Sequence, residues 1–197
     1  MNFLAHAYLS FNHSEILVGN MISDFVKGKK KFNYPSGIQQ GIMLHRQIDA
    51  FTDAHEATKE AAKFLKPAVG LYAGAFVDVV YDHFLANDIN EFTDASLYNC
   101  TISTYDILAK HYEILPAAFQ SMLPYMQSQN WLYNYKSLTG TKRSFDGVVR
   151  RASYLYSSNE VFDLFQQHYT SLQTCYNAFF PSLKAFSISQ VELLIHK

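Results

Sequence analysis

Cysteine is scarce in this sequence: Cys100 and Cys175 stand far apart, and neither has a CxxC partner. A disulfide framework and a thiolate zinc site are therefore excluded as organising principles. Five prolines and eight glycines in 197 residues leave few places where a helix must end. Charge of one sign is lacking too, since 16 Lys and Arg face 17 Asp and Glu for a net charge of -1. A chain so balanced has no basic field to steer it toward nucleic acid. No stretch approaches the ~20 uninterrupted apolar residues of a membrane span. The N-terminal MNFLAHAYLSFNHSE has neither a cationic leader nor a small-residue cleavage site. GxSxG, P-loop and Gly-rich dinucleotide patterns are absent, so serine-nucleophile and nucleotide-cradle chemistry have no support. Together these absences point to a cytoplasmic protein without nucleic-acid or membrane partners.

Large apolar side chains are plentiful, with sixteen Phe and fourteen Tyr. A hydrophobic share of 49% against 17% charged excludes a disordered chain and implies an aromatic core. The length suits one domain spanning 1–197, and apolar residues recur at three- and four-residue intervals, which predicts an all-α fold. Helices are expected from Ser14 to about Lys27, from Pro35 to about Asp53, and from Glu56 to about Leu65, before Pro67. The run from Gly70 to Ala86 is apolar on nearly every face and reads as a central helix. Further helices are expected near Ala95–Tyr112, Pro116–Gln127, Ser144–Tyr156 and Glu160–Phe179.

The chemistry concentrates in two of these segments. In LHRQIDAFTD, the residues His45, Asp49 and Asp53 follow at intervals of four, so a helix stacks them with Cβ atoms ~5 to 6 Å apart. In VDVVYDHFL, Asp78 and Asp82 repeat that spacing and His83 points about a quarter turn away. Burying such carboxylates unpaired costs several kcal/mol each. A compensating cation is implied, and oxygen and imidazole ligands suit Mn, Mg, Fe or Zn. His6 and Asp24 are further candidates from upstream segments. The plainer alternative is that these charges are solvated, or pair with Arg46, Arg150 or Arg151, and that His6 is a satisfied core histidine. His13, His55, His111, His168 and His196 read as surface or packing residues. Two basic groups stand out: Lys27, Lys29, Lys30 and Lys31 just beyond Asp24, and Lys142, Arg143, Arg150 and Arg151. Either offers contacts to a phosphate or an acidic surface.

The segments NFLAH, GNMISDF, GIMLHRQIDAFTD, DVVYDHFLA, NWLYNY and HYTSLQTCYNAFFP, in this order and spacing, resemble the acyl carrier protein phosphodiesterase family nearly end to end. That family is similar to a divergent branch of the HD-domain phosphohydrolases, which are all-helical metal enzymes. The resemblance implies a single compact HD-domain-like domain that hydrolyses the 4'-phosphopantetheine to serine linkage of holo acyl carrier protein. It also implies Mn as the cofactor and fatty acid biosynthesis as the context. On that reading His45, Asp49, Asp78 and Asp24 are expected to ligate the metal, with His6 and Asp82 next in line. His83 is expected to protonate the leaving serine, and Arg46, or Arg150 and Arg151, to stabilise phosphoryl charge. Lys27 and Lys29 to Lys31 are expected to dock the acidic carrier. The alternatives are an HD-type phosphohydrolase for a nucleotide or other small phosphoester, and a non-catalytic helical module whose His and Asp form ion pairs. Oligomeric state is left open.

Overall fold

Two glycines bring the first long helices into backbone contact. A computed structural model describes residues 1–195, and His196 lies outside them. α2 (Ser14–Ile22) and α3 (Ser36–Ala54) cross so closely that a Cβ on Gly19 would lie 2.0 Å from the Ile38 carbonyl oxygen. One on Gly41 would lie 2.1 Å from the Ile16 carbonyl oxygen. Only a residue without Cβ permits this crossing. It seats the last turns of α2 against the middle of α3.

The other helices wrap this pair. Short α1 (Phe3–Tyr8) lies between α2 and α5 (Ala73–Ala86). Around α5 pack α4 (Glu56–Val69), α9 (Leu138–Arg151) and the long α11 (Tyr169–Ile195). α6 (Asp94–Lys110), α7 (Ala117–Ser128), α8 (Trp131–Asn134) and α10 (Asn159–Gln167) complete an all-α domain with no strand among the described residues. The aromatic core expected from composition runs beside α5. There Phe76 meets Phe145 edge-on at 5.0 Å between centroids, and Tyr81 stacks on Phe179 at 5.0 Å. Such pairs add stability beyond the area they bury.

Several boundaries differ from the periodicity reading, each for a local reason. α1 was not anticipated, because six residues hold too little pattern; the Asn2 side chain caps it by accepting from the Phe3 N–H. The first long helix stops at Ile22 and tightens into 3-10 turns at Ser23–Phe25 and Gly28–Asn33, so the basic run is a turn and not a helix end. α4 continues past Pro67 because the carbonyl that proline leaves unpaired belongs to solvent-exposed Lys63. α9 begins at Leu138, six residues before Ser144, because the Ser137 side chain accepts from the Gly140 N–H. The helix expected from Glu160 to Phe179 is two, broken at His168, and the second runs through Pro181 to Ile195. Two segments, Glu56–Ala86 and Tyr169–Ile195, are long and apolar enough by length and mean composition to cross a membrane, though polar and charged residues interrupt both. Each sends apolar side chains into the core, among them Leu65, Tyr81, Tyr176 and Phe179.

Candidate metal centre

α1 and α3 bring two imidazoles face to face: His6 and His45 stack with centroids 3.8 Å apart and planes 14° from parallel. Asn20, carried on α2 by the Gly19–Gly41 crossing, fixes both rings. The His45 Nδ1 lies 2.7 Å from the Asn20 backbone carbonyl, which only accepts, so Nδ1 carries a proton. The His6 Nδ1 lies 2.7 Å from Asn20 Oδ1. The Asn20 amide donates to the His6 carbonyl at 2.8 Å and to Ser10 Oγ at 3.0 Å, which turns its oxygen toward the His6 ring. Both Nε2 atoms are thereby aimed at one place.

That place is lined with oxygen acceptors. His45 Nε2 lies 3.1 Å from Asp49 Oδ2 and 3.2 Å from Asp24 Oδ1. His6 Nε2 lies 3.2 Å from Asp49 Oδ1 and 3.2 Å from the Met1 carbonyl. The Met1 amino group donates to Asp78 Oδ1 at 2.9 Å and stands 3.6 Å from Asp49 Oδ1. Burial opposes charge on His45, but hydrogen bonds to Asp24 and Asp49 outweigh it and raise its pKa to about 9. Burial and the His45 charge lower that of His6. Burial also works against the Asp49 carboxylate, yet its bonds to both histidines hold it well below the usual carboxylate range. Burial lowers and Asp78 and Asp49 raise the Met1 ammonium, with a result of about 10. These are the responses of a carboxylate-rich pocket that collects positive charge.

The chemistry of the donors fits a divalent ion. One ligand atom from each of His6, His45 and Asp49 falls within 4.8 Å of the others, and an Nε2 pair oriented by Nδ1–H bonds is how metal-binding histidines are held. Two imidazole nitrogens with carboxylate oxygen suit Mn, Fe or Zn, and Mg less well. Asp24 and Asp78 stand at the margin of the same group.

Other residues singled out in the sequence go elsewhere. Asp82 is fully buried and accepts the backbone N–H groups of Asn2, Leu4 and Ala5 at 3.2, 2.7 and 3.3 Å, so it holds the start of α1. Burial pushes its carboxyl up to about 7, against those donors and the Met1 ammonium. The structure does not bring His83 to the cluster: its Nδ1 lies 2.7 Å from the Tyr135 carbonyl and its Nε2 2.9 Å from the Tyr169 hydroxyl. It sits edge-on to Phe84 and Phe165 in the aromatic core. Arg46 is exposed and donates to the Val26 carbonyl at 3.0 Å. Arg150 and Arg151, at the end of α9, line a separate pocket with Asn2 and Phe3. Lys27, Lys29 and Lys30 are exposed and Lys31 is half-buried; Lys27 precedes, and the others lie on, the 3-10 turn that follows Asp24. Asp53 has its carboxyl raised by burial and by Asp78, close to the group but outside its contacts.

Asn20 is the residue that sequence reasoning missed. Its signal was present: one amide within the apolar ILVGNMI of a helix must find buried partners.

The family model described as acyl carrier protein phosphodiesterase matches residues 1–183. Curated relatives of that name include one from Yersinia pestis, 32% identical over 188 residues, which cover 93% of this chain and 95% of the relative. One from Klebsiella pneumoniae is 30% identical over 184 residues, 93% of this chain and 95% of the relative. No solved structure matches.

Proposed function

The chain belongs to the acyl carrier protein phosphodiesterase family, hydrolases by that name, and from this premise we propose that it cleaves the phosphodiester joining 4'-phosphopantetheine to a serine of holo acyl carrier protein. The products are the apo protein and free 4'-phosphopantetheine. The observation that carries the reading is the convergence of two oriented Nε2 atoms and the Asp49 carboxylate on one point.

A divalent ion held by His6, His45 and Asp49 supplies Lewis acidity toward a water and a phosphoryl oxygen. The chain's own residues do the rest. Asn20 keeps both imidazoles in the ligating tautomer, and the α2–α3 crossing holds Asn20 in place. Asp24, whose side chain is 73% exposed, marks the open side from which a carrier serine approaches. The lysines that follow it offer an acidic carrier a surface of opposite sign. Manganese is the metal we assign, and the cytoplasm, where the carrier works, is the compartment. An HD-like grouping is compatible with helices that converge on such a centre.

The experiment is to incubate the purified chain with holo acyl carrier protein and Mn, with and without a chelator, and follow the mass of the carrier. Loss of one phosphopantetheine unit only without chelator supports the proposal. Metal bound by the protein but no loss of mass overturns the substrate and moves the reading to a small phosphoester. No bound metal and no loss removes the catalytic reading altogether.

A further inference from the structure

Beside the cluster lies a pocket of about 340 Å³, a size at which small ligands are largely enclosed. It is near the cluster for a covalent reason. Asn2 and Phe3 line it, while the carbonyl of Met1, the residue bonded to Asn2, stands 3.2 Å from His6 Nε2. With successive Cα atoms ~3.8 Å apart, the pocket wall and the imidazoles are within one residue of each other.

The lining has two characters. Trp131, Phe3 and Met122 give it apolar faces, and Asn134 and Ser144 add side chains that can meet amide groups. Arg143 reaches it from α9 about two turns before Arg150 and Arg151 do. Asp146 is the one carboxylate among the described lining residues, and it is already held by Lys142 at 2.9 Å and by Ser158. Three guanidinium groups thus face a single carboxylate whose charge is offset, and guanidinium groups match phosphate oxygens two at a time.

We propose that this pocket binds the arm of the substrate, a neutral chain of amides ending in a phosphate, with the amides against Trp131 and Phe3 and the anion near the arginines. The inference rests on the proposed reaction and adds where its released half is held.

Trp131 is the only tryptophan in the chain, so its fluorescence reports on this pocket directly. Titration of the purified protein in chelator, where no turnover is needed, uses 4'-phosphopantetheine, pantetheine and adenosine monophosphate as probes. The expected result is a saturable change with 4'-phosphopantetheine at a Kd at least tenfold below that of pantetheine. Arg150→Gln with Arg151→Gln should remove that tenfold advantage and leave pantetheine binding as it was. Equal affinity for pantetheine, equal affinity for the nucleotide, or indifference to the double substitution would overturn the proposal. So would no fluorescence change from a protein that releases phosphopantetheine from the carrier. Binding without any such release would keep the pocket and sink the reaction.

Discussion

α3 and α5 carry nearly the same letters, HRQIDAFTD and DVVYDHF, and use them differently. On α3, His45 and Asp49 leave their polar atoms facing other polar atoms that compete for charge: two imidazoles, Asp24 and the Met1 amino group. On α5, Asp78 faces that group, but Asp82 is consumed by three backbone N–H groups and His83 by a carbonyl and a phenol. The same residue types therefore divide into a set bonded to uncharged groups of the fold and a set in which imidazoles, carboxylates and an ammonium meet one another, the set we propose to hold a cation. Neither partner of His83 is ionic, whereas the Nε2 atoms of His6 and His45 both meet the Asp49 carboxylate.

The largest expected effect breaks this division from both sides. Asp49→Asn removes the oxygen pair between two imidazoles, and turnover should fall by more than the roughly 10–100-fold that loss of a supporting partner costs. Bound metal measured by elemental analysis should fall with it, per folded molecule. His83→Leu should do the reverse, costing about 1–3 kcal/mol of stability for two lost buried hydrogen bonds and leaving turnover per folded molecule unchanged. If His83→Leu also lowered the rate with stability intact, the two helices would not divide as described.

A smaller effect sharpens the role of Asn20. Asn20→Leu deletes the amide that orients His6, but His45 keeps its partner because that partner is the backbone carbonyl at position 20. Metal affinity should drop ~10–100-fold and not vanish, as for other residues that only orient a ligand. Loss as complete as in Asp49→Asn would mean that the amide does more than hold a tautomer. Gly41→Ala tests the platform beneath. Its new Cβ meets the backbone of Ile16 and of Gly19, neither of which can rotate away, and the helices must part at a cost of at least roughly 1–3 kcal/mol, seen as a lower thermal midpoint.

Much of this division was legible in the residues and some was not. Spacing placed His45 over Asp49, since four residues make one turn, and the apolar run around Asp78 and Asp82 announced buried carboxylates. That Asp78 would meet the Met1 amino group and Asp82 three backbone N–H groups depended on how the chain enters α1, a six-residue helix with too little periodicity to be seen. α1 and its capping residue Asn2 supply His6 to the cluster and three N–H groups to Asp82, and so decide both fates. The role of Asn20 was hidden for a related reason, because a lone amide in an apolar stretch does not say which ring it will fix. The pocket was hidden further still. Trp131, Phe3 and Arg150 come from α8, α1 and α9, which meet only in the folded chain.

The smallest effect concerns Asp82, and its sign follows from burial. The folded-state pKa of about 7 lies above the ordinary carboxyl value of 3.8, so the folded protein holds this proton more tightly than the unfolded chain does. Stability from this group is present below the unfolded value and is lost as pH rises toward 7. Asp82→Asn keeps an acceptor oxygen but cannot ionise. Urea unfolding of both proteins should show the parent's stability falling relative to the variant between pH 4 and pH 7. A difference that grew with pH instead would mean that the three N–H groups and the Met1 ammonium outweigh burial and favour the carboxylate. Asp82 would then be an anion in the folded protein at every pH of that range, like Asp49, and the contrast between the two would narrow to who donates to them.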